Sequence, residues 1–156
     1  MKFFYLILLF LFKSSPLLSS DYIDKGFYVI DLKNKAEWLK CSAGQQWSDS
    51  KQRCLGEPVK LDQEEIKEAN RQLNEQIEGE WRLPSRKELE SLICDECKGV
   101  KINQKLFPDT PAQPFWTSQK NWWSPKFIWS VNFFTGHSYG RFVPEKKLFV
   151  RFVKDR

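Results

Sequence analysis

The sequence predicts an α+β fold in which two helices pack on a small, mostly antiparallel twisted sheet with long loops. Three observations carry this. Apolar residues recur at helical spacing over Ile66, Ala69, Leu73 and Ile77. Trp81 to Leu89 reads as a strand, a turn and a helix start packed into nine residues. Phe127 to Phe134 alternates as a strand does, and two further strand-like runs follow it. Helices followed by a run of adjacent strands define α+β rather than a wound parallel sheet.

In chain order, Lys2 and the apolar run Phe3–Phe12 read as a targeting signal, closed by Lys13 and by small residues at Ser19 and Ser20. The run is half the roughly 20 residues needed to cross a bilayer. Residues 1–20 are therefore expected to be a cleaved signal peptide, with residues 21–156 forming one domain. No lipobox cysteine is present.

Asp21–Lys25 is a polar lead. Phe27–Leu32 reads as a strand, Lys33-Asn34-Lys35 as a turn, and Glu37–Cys41 as a second strand. Gly44–Arg53 is polar and expected to be loop. Leu61–Ile77 reads as a helix that Asp62 caps, with Glu64 and Glu65 near its positive end. Glu78-Gly79-Glu80 stops it.

At Trp81-Arg82-Leu83-Pro84-Ser85, proline holds its own φ near −65° and turns Leu83 away from helix. Ser85 lies three residues before Glu88, the capping-box spacing, so a helix is expected from Ser85 to Ile93. Residues 98–126 hold four of the eight prolines and show little periodicity, which predicts a long ordered loop. Strands are then expected at Phe127–Phe134, Ser138–Val143 and Leu148–Val153, split by Thr135-Gly136 and by Pro144–Lys147.

Several of these segments resemble one bacterial family. Trp81–Ile93 is similar to a W-R-L-P-T-x-x-E-L signature, and Lys40–Trp47 to a C-x-x-G-Q-x-W segment with Cys54 as its second cysteine. Ile102-Asn103, Phe107–Pro111, Phe115–Ser118, Trp129–Phe133 and Val150–Val153 resemble later blocks in the same order. The family is that of the C-terminal domain of the Legionella collagen-like adhesin. The resemblance implies a C-type-lectin-like fold, shared with formylglycine-generating enzymes, and binding of sulfated polysaccharide as in the adhesin.

Removing residues 1–20 takes away Lys2 and Lys13 and leaves 23 basic against 20 acidic residues. That mild excess does not imply nucleic acid, and export argues against it. Four cysteines in an exported chain favour disulfides. Three pairings are formally possible; the expected one is local, Cys41 with Cys54 and Cys94 with Cys97. Cys94-Asp95-Glu96-Cys97 also has redox and zinc spacing. It follows a helix instead of starting one, and two acids oppose a thiolate. Zinc would need further ligands, and His137 is the only histidine.

Other chemistry finds little support. There is no G-x-S-x-G elbow, phosphate-binding glycine loop or EF-hand. The densest run of carboxylates, seven of 20, lies on the 62–80 segment, as a solvated helix face would place them. Formylglycine-generating chemistry needs cysteines near the C-terminus, and none follows Cys97. A lectin calcium site needs several hard oxygens. Gln113-Pro114-Phe115 lacks the acid, and Asp109 is the sole carboxylate of residues 98–140. No enzyme activity, metal or cofactor is expected.

What remains is a surface. Trp122 and Trp123 sit in an apparent loop between Lys120 and Lys126, and one indole is expected to be exposed and able to stack on a ligand. Arg141, Lys146 and Lys147 would extend a basic patch for a polyanionic glycan. Trp116, Trp123 and Trp129 are more often core in this kind of fold, and a basic hairpin is usually just solvated. The expected role is an exported, secreted or periplasmic, non-catalytic binding domain without stable membrane insertion. A structural subunit docking an extracellular protein is the alternative, and a cysteine-dependent oxidoreductase the third.

Overall fold

The computed structural model describes residues 21–156, and the signal-peptide reading of residues 1–20 lies outside them. The fold is α+β and mostly β. The elements are β1 (Tyr22–Asp24), β2 (Tyr28–Asp31), β3 (Ala36–Leu39), β4 (Gln46–Ser48), β5 (Arg53–Leu55) and β6 (Lys60–Leu61). Then come α1 (Gln63–Gln76), α2 (Arg86–Glu90), β7 (Pro114–Lys120), β8 (Ile128–Asn132), β9 (His137–Phe142), β10 (Leu148–Phe149) and β11 (Val153–Asp155).

These strands form three sheets rather than one. One is antiparallel, in the order β1-β2-β3-β11; the second runs β6-β10-β7-β8-β9; the third is the β4-β5 hairpin. Only the β10–β7 pairing is parallel. The C-terminal strand lies against β3, with Val153 opposite Trp38, so both ends of the described chain share a sheet.

Capping explains the helices. The Asp62 carboxylate accepts from the Glu64 and Glu65 N–H groups, and Glu65 accepts from the Asp62 N–H at 2.9 Å, closing a full capping box. Ile66 of α1 is buried against Trp81, Trp116, Val150 and Phe152. Ser85 and Glu88 form the second box, through Ser85 N–H to Glu88 at 2.7 Å and Glu88 N–H to Ser85 Oγ at 3.3 Å.

That helix stops at Glu90, three residues before the expected end. The Leu92 and Ile93 N–H groups bond carbonyls three residues back. Ile93 then bridges to Ile102, and Cys94 N–H donates to Lys101 O. Non-local pairing removes these residues from the helix.

Trp81 is buried, as its place before the turn implies, whereas Leu83 is only half-buried. Asn74 of α1 grips the Trp81 backbone through both side-chain atoms, at 2.8 and 2.9 Å. Arg82 exchanges backbone hydrogen bonds with Val153. Its guanidinium meets Glu88 at 2.7 Å and also Asp155.

Burial opposes the charge on Glu88, yet hydrogen bonds from Arg82 and Ser85 outweigh it and hold the carboxyl down to about 2. Its folded pKa thus lies below the ordinary 4.5, so the stabilisation is present above that value and is lost as pH falls toward about 2. Glu88→Gln should cost about 1–2 kcal/mol at neutral pH, since Arg82 is partly exposed and screened. Urea unfolding as a function of pH should show the two proteins converging across that acid window. A constant gap would remove the ion pair from the explanation.

Four expectations on strands need correction. The polar lead contains β1, whose Tyr22 pairs with Asp31 of β2. The 44–53 loop contains most of the β4–β5 hairpin, with Trp47 opposite Cys54. The proline-rich 98–126 segment contains β7, which pairs with both β8 and β10. Phe115, Trp116 and Thr117 are consecutive and all buried, so β7 shows none of the alternation that marks a half-exposed strand. The expected Leu148–Val153 strand divides into β10 and β11, and the buried residues 150–152 carry the chain between sheets.

Both disulfides of the local pairing are present, with Cα–Cα distances of 5.5 Å for Cys41–Cys54 and 5.3 Å for Cys94–Cys97.

Candidate functional site

The β7–β8 connection is closed at its base by backbone bonds. Asn121 N–H donates to Phe127 O, and Phe127 N–H donates to Ser124 O. Asn121 does two further jobs. Its Oδ1 accepts from Trp123 N–H at 2.9 Å, fixing the turn, and its Nδ2 donates to Gly140 O at 2.7 Å, tying the loop to β9. Gly140 permits the close packing under this loop, because a Cβ there would lie 2.7 Å from the Trp129 ring.

On this frame both indoles face solvent. Trp122 is 76% and Trp123 81% exposed, with ring centroids 4.2 Å apart in an edge-to-face contact. Reading Trp123 as core is therefore overturned, and the pair exposes two indoles where one was expected. Trp116 is buried and donates its Nε1–H to Leu61 O at 2.9 Å. Trp129 is half-buried beneath the Arg86 guanidinium at 4.3 Å. Burying a large apolar side chain is worth about 1.5–3 kcal/mol, so two exposed indoles leave a substantial gain unrealised until something covers them.

The expected basic residues divide between two places. Lys120 ends β7, Lys126 precedes β8, and Arg141 lies next to Phe142, which pairs with Ile128. All three are exposed, and no acidic partner faces them among the described residues. Lys126 lies over the Phe127 ring at 5.0 Å. Lys146 and Lys147 instead occupy the β9–β10 connection beside the start of α1, where Gln63 N–H donates to Pro144 O. Lys147 is held by Glu65: that hydrogen bond raises the ammonium pKa and lowers that of the carboxyl. Its charge is thus committed to α1, while Lys146 stays exposed without an ion pair among the described residues.

Other sequence candidates have structural partners. Asp109 accepts from Arg53 at 2.8 Å and from Cys54 N–H at 3.1 Å, so this carboxylate pins the β5 hairpin. Cys94–Cys97 follows α2, with the Glu96 carboxylate 3.8 Å from Cys94 Sγ. His137 begins β9 and is exposed. Among the described residues, no three His, Cys, Asp or Glu side chains converge as a metal site would require.

The segments that resemble the family now have positions: Trp81 in the core, Ser85 and Glu88 at a cap, Trp47 opposite Cys54, and later ones in β7, β8 and the C-terminal crossing. Over residues 27–154 the chain matches the model of the Lcl C-terminal domain. It belongs to that family. No curated protein and no solved structure gives a significant match. Membership of the Lcl C-terminal domain family suggests an adhesin-like domain of the cell surface. No helix among the described residues of this Lcl C-terminal domain is long and apolar enough to cross a membrane.

A concavity was missed from sequence. The Lcl C-terminal domain has a cleft of about 620 Å³ between the 41–49 segment and α1. Gln45-Gln46-Trp47 was the available signal, since an indole beside amides in a polar stretch has few structural uses.

Proposed function

We propose that this domain is an exported, non-catalytic binding module of the cell surface, and that its Trp122–Trp123 loop engages a sulfated polysaccharide. The observation that supports this most directly is the exposure of two adjacent indoles on a loop braced at both ends, with Lys120, Lys126 and Arg141 exposed around it. An indole face accepts a sugar ring, and lysine and arginine pair with sulfate. Each exposed pair contributes only about 0–1 kcal/mol, so several cations must act together.

Retention on a heparin column tests the reading. Wild type should elute above physiological ionic strength, roughly 0.15 M. A Lys120→Glu, Lys126→Glu, Arg141→Glu protein should pass through at low salt while melting like wild type. Charge reversal at Lys147 should alter stability more than retention, because Glu65 already holds it. Elution of wild type below physiological salt, or of the triple variant beside it, would defeat the proposal.

The same indole pair also suits an apolar patch on an extracellular protein. Salt separates the two ligands: a polyanion weakens steeply with ionic strength, whereas an apolar contact does not.

A further inference from the structure

The cleft beside α1 lies apart from the tryptophan loop and has a different lining. Leu39, Ala43, Leu73, Ile77 and Phe152 supply its apolar walls. Gln46, Gln72 and Gln76 bring amides to its edge, together with Trp47 and Asp49. About 620 Å³ is the size of a small-molecule site.

Its polar groups narrow the chemistry. Ser42 lines the cleft and is 2% exposed, yet its hydroxyl has no hydrogen-bond partner among the described residues. A buried hydroxyl without a partner costs free energy unless something occupies the site. Asp49 is the single charged residue of the lining, and it already accepts the Trp47 Nε1–H at 2.8 Å. Lys40 reaches over the Trp47 ring at 4.1 Å, but its charge is matched by Asp24 at 2.6 Å. An anion would therefore meet no free cation here. A purely apolar ligand would leave Ser42 unpaired and would strip water from the exposed Gln46 and Gln76 amides, while Gln72 already donates to Glu68 at 2.7 Å.

A ligand with an apolar face and many uncharged hydroxyls suits the walls and can pair with Ser42, Gln46 and Gln76. We propose that this cleft binds a neutral saccharide, with Trp47 beside the ring, the Gln46 and Gln76 amides on its hydroxyls, and Ser42 as the buried hydrogen-bond partner. The site is independent of the Trp122 loop and of its cations.

The experiment is a titration of the 15N-labelled protein, residues 21–156, with maltotriose, cellotriose and chitotriose in turn. The Trp47 indole N–H signal should shift with at least one of them at about 10 mM or below, the range of a weak site, while the Trp122 and Trp123 signals stay in place. With the sugar that binds, Ser42→Ala and Gln76→Ala should each weaken it roughly fivefold to tenfold, the effect of one lost hydrogen bond. Gln76 is exposed, so its variant keeps the fold. No Trp47 shift with any of the three sugars overturns the proposal, and so does a shift that both variants leave unchanged. Heparin retention reads the other surface, so the two proposals fail separately.

Discussion

Arg151→Met should lower the unfolding free energy by about 3–5 kcal/mol, a large share of the 5–15 kcal/mol typical of a domain. Arg151 is fully buried in the crossing from β10 to β11. Its guanidinium donates to Leu39 O at 2.7 Å, to Lys40 O, and to Thr110 Oγ1 at 2.7 Å. It also lies against the rings of Phe107 at 4.9 Å and Phe115 at 5.9 Å. Burial pulls its pKa down to about 9, which leaves it charged at neutral pH.

Two effects compete on substitution. Methionine relieves the desolvation of a charge that no carboxylate among the described residues balances, and such replacements sometimes stabilise. It also strands two backbone carbonyls inside the protein, at about 1–3 kcal/mol each, and removes a donor from Thr110, whose hydroxyl still donates to Phe107 O at 2.7 Å. The second effect should win, because the Leu39 and Lys40 carbonyls and the Thr110 hydroxyl, from two separate segments, converge on the one guanidinium. Denaturant unfolding decides it: a midpoint at or above that of wild type would mean that desolvation dominates and that Arg151 is not the tie between the two sheets.

Trp81→Ala should cost a similar amount, about 3–5 kcal/mol, and lower the melting temperature by roughly 10 °C or more. Trp81 is buried among Ile66, Trp116, Val150 and Phe152. Its ring meets Tyr28 edge-on at 6.5 Å, and the Lys154 ammonium lies over it at 5.0 Å. Alanine would leave a cavity bounded by α1 and the C-terminal crossing, two elements that cannot easily collapse together because Asn74 and Val153 hold the flanking backbone. Trp81→Phe keeps much of the volume and should lose less than half as much. Calorimetry of the three proteins checks the order. An alanine variant that melts with wild type would show the indole to be dispensable for the core.

The features legible in the sequence share one property: their partners lie close along the chain. Asp62 with Glu65, and Ser85 with Glu88, announce caps because the donors they satisfy are three positions away. The β8–β9 turn at Thr135-Gly136 was readable because Gly136 takes a positive φ of 76°. The two disulfides join cysteines 13 and 3 positions apart. The tryptophan pair was visible as a candidate surface because adjacent side chains on a short loop cannot both turn inward.

Tertiary structure alone decided the rest, because there the partner comes from far along the chain. β7 lies in a proline-rich stretch and became a strand through β8 and β10, which supply its hydrogen bonds from both sides. Lys147 is a free cation in sequence and an engaged one in the fold, since Glu65 comes to it across 82 positions. Arg151 stands in a run of β-like residues, and only the convergence of Leu39, Lys40 and Thr110 makes a buried guanidinium tolerable there. The walls of the cleft come from β3, the 41–49 segment, α1 and the C-terminal crossing. Local propensity reports how a backbone satisfies its own hydrogen bonds. Burial, ion pairing and concavity depend on which distant surface arrives opposite, and folding settles that.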